Sequence, residues 1–145
     1  MNDDIYHEKL KTLAKSGHGA GDLSAGKNVV SLDNPLCGDW VRLAVDVHGD
    51  RIESVTHSVK GCLLCRAAAS VIGETAPGMN TDAMVDVCHH MEAMLKKETA
   101  YTPPEGWEDL AVFEPVLAHE SRHNCVLLPF QAVVKALDGD GSQTL

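Results

Sequence analysis

Aromatic residues are scarce in this sequence, at 4% of 145 residues, and no stretch of it approaches the roughly 18 apolar residues of a membrane-spanning helix. The core must therefore rest on Ala, Val, Leu and Met, which favours helix packing over a β-sandwich. An apolar share of 44% is enough for such a core. The length suits one folding unit, so we predict a single domain over residues 1–145 with a flexible tail over 138–145.

Basic residues are also few, with 12 Lys and Arg against 21 Asp and Glu and a formal net charge of −9. Such a balance repels phosphate backbones and anionic lipid, so neither nucleic acid nor a membrane is an expected partner. The opening residues, 1–4, lack the basic and apolar regions of a signal peptide, and we expect a cytoplasmic protein. In a reducing compartment, five cysteines predict metal ligands or nucleophiles rather than disulfide partners.

Strand patterns are concentrated in the first half of the chain. Residues 40–47 alternate between apolar and polar, which predicts a half-buried strand whose inner face ends at Val47. The returning strand, residues 52–60, slips in apolar phase just after Ile52, as it would at a β-bulge. A two-stranded hairpin alone is marginally stable, so residues 29–32 are predicted to add a third strand.

Helical spacing of apolar residues covers most of the remaining chain, and Asn80 or Thr81 can cap one of the predicted helices. The last two predicted helices each contain a proline. The patterns together predict an α+β fold, in which four to five helices pack on a small three-stranded antiparallel sheet. The predicted helices are residues 5–13, 62–74, 107–118 and 122–137, together with the helix capped at Asn80 or Thr81, whose apolar stripe runs from Met84 to Leu95.

Three thiols and one carboxylate stand at positions that the fold could bring together around one metal ion. Zinc and iron both accept thiolate and carboxylate ligands from distant parts of a chain. Taken singly, each cysteine is more often a small buried hydrophobe, and Cys88 fits that interpretation on the apolar stripe of its helix. Because three thiols and one carboxylate occur together, a metal site is a better explanation for them than burial in the core. The candidate ligands are Cys37, Asp39, Cys62 and Cys125.

Cys62 and Cys65 also form a C-x-x-C pair at the start of a predicted helix. In a thioredoxin-like setting that spacing indicates a dithiol oxidoreductase with a reversible disulfide. The preceding strand belongs to a hairpin rather than to a βαβ unit, which disfavours the dithiol hypothesis. A zinc ribbon would need a second C-x-x-C, which the sequence lacks.

Three segments carry a resemblance to a known family: NPLCGD at residues 34–39, Gly-Cys at 61–62 before an alanine-rich helix, and RHNC at 122–125 followed by LPF at 128–130. Together they resemble the U-type iron–sulfur cluster assembly proteins, the family of IscU, SufU and the NifU amino-terminal domain. The long gap between Cys62 and Cys125, and Asn124 where IscU has a histidine, make the SufU branch the most similar.

The resemblance implies a SufE/NifU-like fold and a site that holds zinc at rest, or iron and a transient [2Fe–2S] cluster. It implies the same four metal ligands, Cys37, Asp39, Cys62 and Cys125. It further implies that a SufS-like cysteine desulfurase and apo iron–sulfur proteins are partners, and that Arg122 lies on the desulfurase-facing surface. Cys37 is the expected acceptor of persulfide sulfur, because a Gly-flanked loop can move toward a partner while a helix-borne cysteine cannot.

Cys65 departs from the family pattern, which has a serine at that position. It is either a spare ligand or second sulfur acceptor, or a simple replacement of serine by cysteine beneath the site.

A hypothesis from another class also stays open, in which the metal is purely structural and the protein is a zinc-stabilised interaction domain. The reactivity of the Cys37 thiol toward alkylation separates this hypothesis from sulfur transfer, because a closed structural site protects its thiolates.

Overall fold

The computed structural model describes residues 2–17, 21, 29–34 and 38–137, with side chains described from residue 8 onward. The predicted tail over 138–145 lies outside the described residues, as does Cys37. Among the helices of the described part of the chain, none is both long and apolar enough to cross a membrane.

Three antiparallel strands form one sheet, as predicted, in the order β1-β2-β3. They are β1 (Val30–Asn34), β2 (Asp39–His48) and β3 (Arg51–Lys60). The inner side chains of β2, such as Leu43, are buried, and the polar residues between them face outward. Alternation places one face of the sheet toward the core, as expected for a sheet that is covered on one side.

The predicted irregularity in β3 is present. Asp46 pairs with Ser54 and Val47 pairs with Ile52, which leaves Glu53 as an extra residue on β3. The prediction that Val47 is buried is wrong, because its side chain is 45% exposed. Val47 lies at the end of the hairpin. There the backbone of residues 78–79 hydrogen-bonds to Ile52, the partner of Val47, and not to Val47 itself.

Four α-helices are described: α1 (Asn2–Ser16), α2 (Leu63–Thr75), α3 (Thr81–Leu95) and α4 (His123–Leu137). Helix α3 has the predicted cap, since the Asn80 side chain accepts hydrogen bonds from the N–H groups of Asp82 at 2.8 Å and Ala83 at 3.3 Å. Helices α2 and α4 pack on the sheet and on each other, while α1 packs on α2 and α3 packs on α4.

The predicted helix at residues 107–118 is instead a 3₁₀ helix, Glu108–Ala118, followed by a short second one, Glu120–Arg122. Its buried side chains include Leu110, Phe113 and Val116, which are spaced three apart, as three residues per turn require. Pro115 lies inside this segment and lacks the N–H that an α-helix would use there. An α-helix over the same residues would place Leu110, Phe113 and Leu117 on one face, yet Leu117 is only half-buried.

Lys97 ends α3 in a left-handed conformation, with φ of 64°. Its N–H donates to the Met94 carbonyl at 3.1 Å, and the Glu98 N–H donates to the Ala93 carbonyl at 2.9 Å. Those two hydrogen bonds form a Schellman motif, in which glycine is preferred at the position of Lys97. Lys97→Gly should therefore raise the free energy of unfolding by about 0.5–1 kcal/mol.

Thermal or denaturant unfolding of the purified variant measures this gain. Lys97→Ala is the matched control, because alanine keeps the Cβ that makes a left-handed conformation unfavourable. We expect no comparable gain from alanine. Equal stabilisation by both variants would show that loss of the lysine charge, rather than relief at the backbone, is responsible.

Candidate metal centre

Three of the four predicted ligands lie together in the structure. One ligand atom from each of Asp39, Cys62 and Cys125 lies within 4.8 Å of the other two. Two sulfur ligands of one tetrahedral zinc ion, each about 2.3 Å from the metal, are about 3.8 Å apart. A contraction of at most about 1 Å therefore brings the two sulfur atoms to the separation of zinc ligands. Among the described residues, this is the one such group of Asp, Glu, His or Cys side chains.

Asp39 is held where the β1–β2 connection ends. It is the first residue of β2 and pairs in register with Asn34, the last residue of β1. The Gly38 N–H donates to the Asn34 carbonyl at 2.8 Å, which ties the two ends of the connection together. The side chain of Asp39 is only 7% exposed. A buried carboxylate needs hydrogen bonds or a cation to offset its lost hydration, so this environment suits a metal ligand.

Cys62 lies between β3 and α2, and its backbone N–H donates to Asp39 Oδ2 at 3.4 Å. This contact depends on Gly61, because a Cβ at that position would lie 2.9 Å from Asp39 Cγ and 3.1 Å from Oδ2. Carbon atoms in van der Waals contact are 3.5–4.0 Å apart, so a side chain at position 61 would displace the carboxylate. The need for glycine here comes from close approach to Asp39.

Gly61 is a site residue that the sequence did not identify, since it stands there only as the glycine that follows the predicted strand at residues 52–60. Its signal was available: a glycine at the end of a strand often marks a place where another group approaches the backbone closely. The sequence could not identify the approaching group, because Asp39 is distant along the chain.

Cys125 lies in the first turn of α4 and is 7% exposed. The segment before it is anchored on the long 3₁₀ helix, because His123 Nε2 lies 3.0 Å from the Val116 carbonyl. Arg122 and Asn124 are exposed on either side of His123. The anchored segment therefore presents Cys125 inward and Arg122 to solvent beside the centre.

The remaining described cysteines lie outside this group. Cys65, one turn beyond Cys62, is fully buried, and it is not among the three residues whose ligand atoms converge. Cys88 is buried in the core, as predicted, and burial raises the pKa of its thiol to about 12. A thiol with that pKa stays protonated at neutral pH and is a poor nucleophile and ligand.

Comparison with known proteins agrees with this geometry. The model of the family described as the NifU-like N terminal domain matches residues 5–124. The chain is 24% identical over 135 residues to the zinc-dependent sulfurtransferase SufU of Bacillus subtilis (strain 168), covering 93% of this chain and 90% of that protein. It is 31% identical over 90 residues to the iron-sulfur cluster assembly scaffold protein IscU of Streptococcus pyogenes serotype M1, covering 60% of this chain and 56% of that protein.

A solved structure is also similar. The crystal structure of a nitrogen-fixing NifU-like protein (N-terminal) from Brucella abortus superimposes with a TM-score of 0.85 at 28% identity, covering 95% of this chain and 97% of that one. The α+β fold with a three-stranded antiparallel sheet is thus shared with a NifU-like protein. Because the family model spans well over half of the residues and the fold agrees, the chain belongs to the NifU-like N terminal domain family.

Proposed function

We propose that this protein serves iron–sulfur cluster assembly by accepting sulfur from a cysteine desulfurase at a metal centre. The convergence of Asp39, Cys62 and Cys125 within 4.8 Å carries the proposal. Cys37, two residues before Asp39 in the sequence, supplies the fourth ligand in this proposal. Four such donors complete a tetrahedral site.

Zinc suits the resting state of this centre. The donor set of sulfur and carboxylate oxygen is one that zinc accepts, and a zinc-dependent sulfurtransferase matches nearly the whole chain. Bound zinc would keep the ligand thiols deprotonated at neutral pH. Asp39, Cys62 and Cys125 would hold the ion, and the buried positions of Asp39 and Cys125 limit their own exchange with solvent.

Cys37 is the proposed sulfur acceptor. Its thiolate attacks the outer sulfur of the desulfurase persulfide, a new S–S bond forms on Cys37, and the desulfurase cysteine leaves as a thiolate. The described cysteines are less suited to this step, because Cys125 is only 7% exposed and Cys62 is fixed between β3 and α2. An attacking thiol must be accessible to its partner.

A scaffold role is the second candidate, and similarity to the IscU scaffold protein favours it. The same four donors would hold a transient [2Fe–2S] cluster as cargo before its transfer to apo iron–sulfur proteins. Metal analysis and the visible spectrum of protein purified without oxygen separate the two roles. Colourless protein with zinc supports the carrier, whereas brown protein with iron supports the scaffold.

The two rival hypotheses make different predictions for these cysteines. A dithiol oxidoreductase needs Cys62 and Cys65 to react together, yet Cys62 lies beside Asp39 and Cys125 while Cys65 is fully buried. A purely structural zinc domain would protect every thiolate, so Cys37 would resist alkylation even with a desulfurase present. We expect alkylation of Cys37 to become fast when the desulfurase binds.

Cys37→Ser should abolish stimulation of a cognate cysteine desulfurase while the thermal unfolding midpoint stays near that of the wild type. Serine keeps the size of the side chain but cannot form a persulfide. The measurement is sulfide or alanine release by the desulfurase at increasing concentrations of each variant. Unchanged stimulation would remove Cys37 as the acceptor, and Cys88→Ala serves as the cysteine control that should stimulate normally.

Arg122→Ala should weaken desulfurase stimulation at least several-fold while zinc affinity stays unchanged. Arg122 is exposed three residues before Cys125, so its guanidinium is available to pair with a carboxylate on a partner. Arg51→Ala is the control, because Arg51 is an exposed arginine at the other end of β3 from the centre. Equal loss of stimulation and of zinc affinity in Arg122→Ala would make Arg122 part of the metal centre instead.

A further inference from the structure

A concave pocket of about 450 Å³ lies between the end of α1, strand β3 and the beginning of α2. Lys15 of α1, His57 and Ser58 of β3 and Arg66 of α2 contribute to its lining. None of Asp39, Cys62 and Cys125 lines it, so it is separate from the metal centre. Its volume falls within the range of small-molecule sites, about 300–1,000 Å³.

The charge of this pocket is opposite to that of the protein. The chain carries a formal net charge of −9, yet the described lining includes two cationic side chains and no Asp or Glu. Acidic residues outnumber basic ones by 21 to 12, so the charge of this lining runs against the composition of the chain. Concave walls also focus the field of the charges that line them.

Neither cation is neutralised within the described part of the chain. Lys9, Lys11 and Lys96 each lie within 4.0 Å of a carboxylate oxygen, whereas Lys15 and Arg66 form no such ion pair with the residues described. Two like charges that share a concavity repel each other, and a bound anion would reverse that cost. Both cations are therefore available to an anionic ligand.

We propose that this pocket binds a small molecule through an oxyanion, either a phosphate or a carboxylate group. The Arg66 guanidinium offers two parallel N–H donors that match either group, and the Lys15 ammonium and Ser58 hydroxyl are further donors. Gly17 and Gly21 also line the pocket. This site is independent of the proposed sulfur transfer.

Arg66 has an alternative role that the test must separate. It lies one turn after Cys62, and its N–H donates to the Cys62 carbonyl at 3.1 Å, so its charge could act on the Cys62 thiolate instead. Lys15 comes from a different helix, and its loss removes a charge from the pocket without touching the turn that carries Cys62. A ligand site requires both side chains.

Isothermal titration calorimetry with inorganic phosphate, and separately with succinate, tests the proposal at a fixed ionic strength set with chloride. We expect binding of at least one anion, weakened by about tenfold or about 1.4 kcal/mol in each of Lys15→Gln and Arg66→Gln. Both residues are exposed, so the variants should fold, which circular dichroism checks. Lys11→Gln is the matched control, one turn earlier on α1 and paired with Glu8.

The pattern of binding decides the outcome. Tighter binding of phosphate assigns a phosphorylated ligand, and tighter binding of succinate assigns a carboxylate ligand. Absence of binding by both anions at millimolar concentration overturns the proposal. Equal weakening by Lys11→Gln, or weakening by Arg66→Gln alone, also overturns it, because the first indicates general charge attraction and the second an effect through Cys62.

Discussion

Cys62→Ser and Cys125→Ser should each lower zinc affinity by more than about a hundredfold, since changes to groups that only orient metal ligands already cost 10–100-fold. Each substitution removes one of the two thiol donors that the structure brings within 4.8 Å of each other and of Asp39. A serine hydroxyl does not ionise near neutral pH and cannot replace a thiolate ligand. Competition with a coloured chelator measures the affinity, and metal analysis of the purified variants measures the occupancy.

Cys88→Ala is the control for these two variants. Cys88 is also buried, but it lies in the core on α3, and burial raises the pKa of its thiol to about 12. Its replacement should cost some stability and leave zinc affinity unchanged. Wild-type affinity in Cys62→Ser or Cys125→Ser would contradict the assignment of that cysteine as a ligand. A loss in Cys88→Ala as large as theirs would show that unfolding, not ligation, is being measured.

Gly61→Ala should lower zinc affinity by about tenfold or more, although position 61 supplies no ligand atom. The new Cβ would lie 2.9 Å from Asp39 Cγ, so the carboxylate would have to move away from residue 61. Because Asp39 is only 7% exposed, it has little room to move without disturbing its neighbours. Overpacking of this kind typically also costs about 1–3 kcal/mol of stability.

Gly49→Ala provides a matched comparison for that effect. Gly49 has φ of 68° and open space around the position of a Cβ, so alanine there should cost about 1–2 kcal/mol through backbone strain alone. It lies in the hairpin turn, away from the metal centre, and zinc affinity should not change. If Gly61→Ala retains full zinc affinity, the close approach of Asp39 to residue 61 does not position that carboxylate for the metal.

The sheet was predictable because its signals are local. Alternation in residues 40–47 and the phase slip near Ile52 depend on neighbouring residues alone, and both appear in the structure as β2 and the extra residue Glu53. The 3₁₀ helix Glu108–Ala118 was not predicted, because spacings of three and four residues both fit a short apolar pattern. Pro115 is visible in the sequence, but its effect on the helix type depends on packing.

The centre was predictable in its chemistry and less so in its arrangement. Cysteine and aspartate at positions 37, 39, 62 and 125 indicate a metal that accepts sulfur and oxygen, and that inference needs only residue types. The position of the Cys37 side chain stays a prediction. The role of Arg122 in binding a partner and any role of Cys65 in sulfur transfer also stay predictions.

By itself, the sequence determined the donor types, the acidic charge that disfavours nucleic acid, and the strands and helices that follow from local apolar spacing. Only the tertiary structure decided that Asp39, Cys62 and Cys125 meet within 4.8 Å, and that the missing side chain of Gly61 makes room for the carboxylate. The physical reason is that Asp39, Cys62 and Cys125 are far apart along the chain. Local patterns report on turns and faces, whereas the meeting of β2, α2 and α4 at one point depends on how their buried surfaces pack.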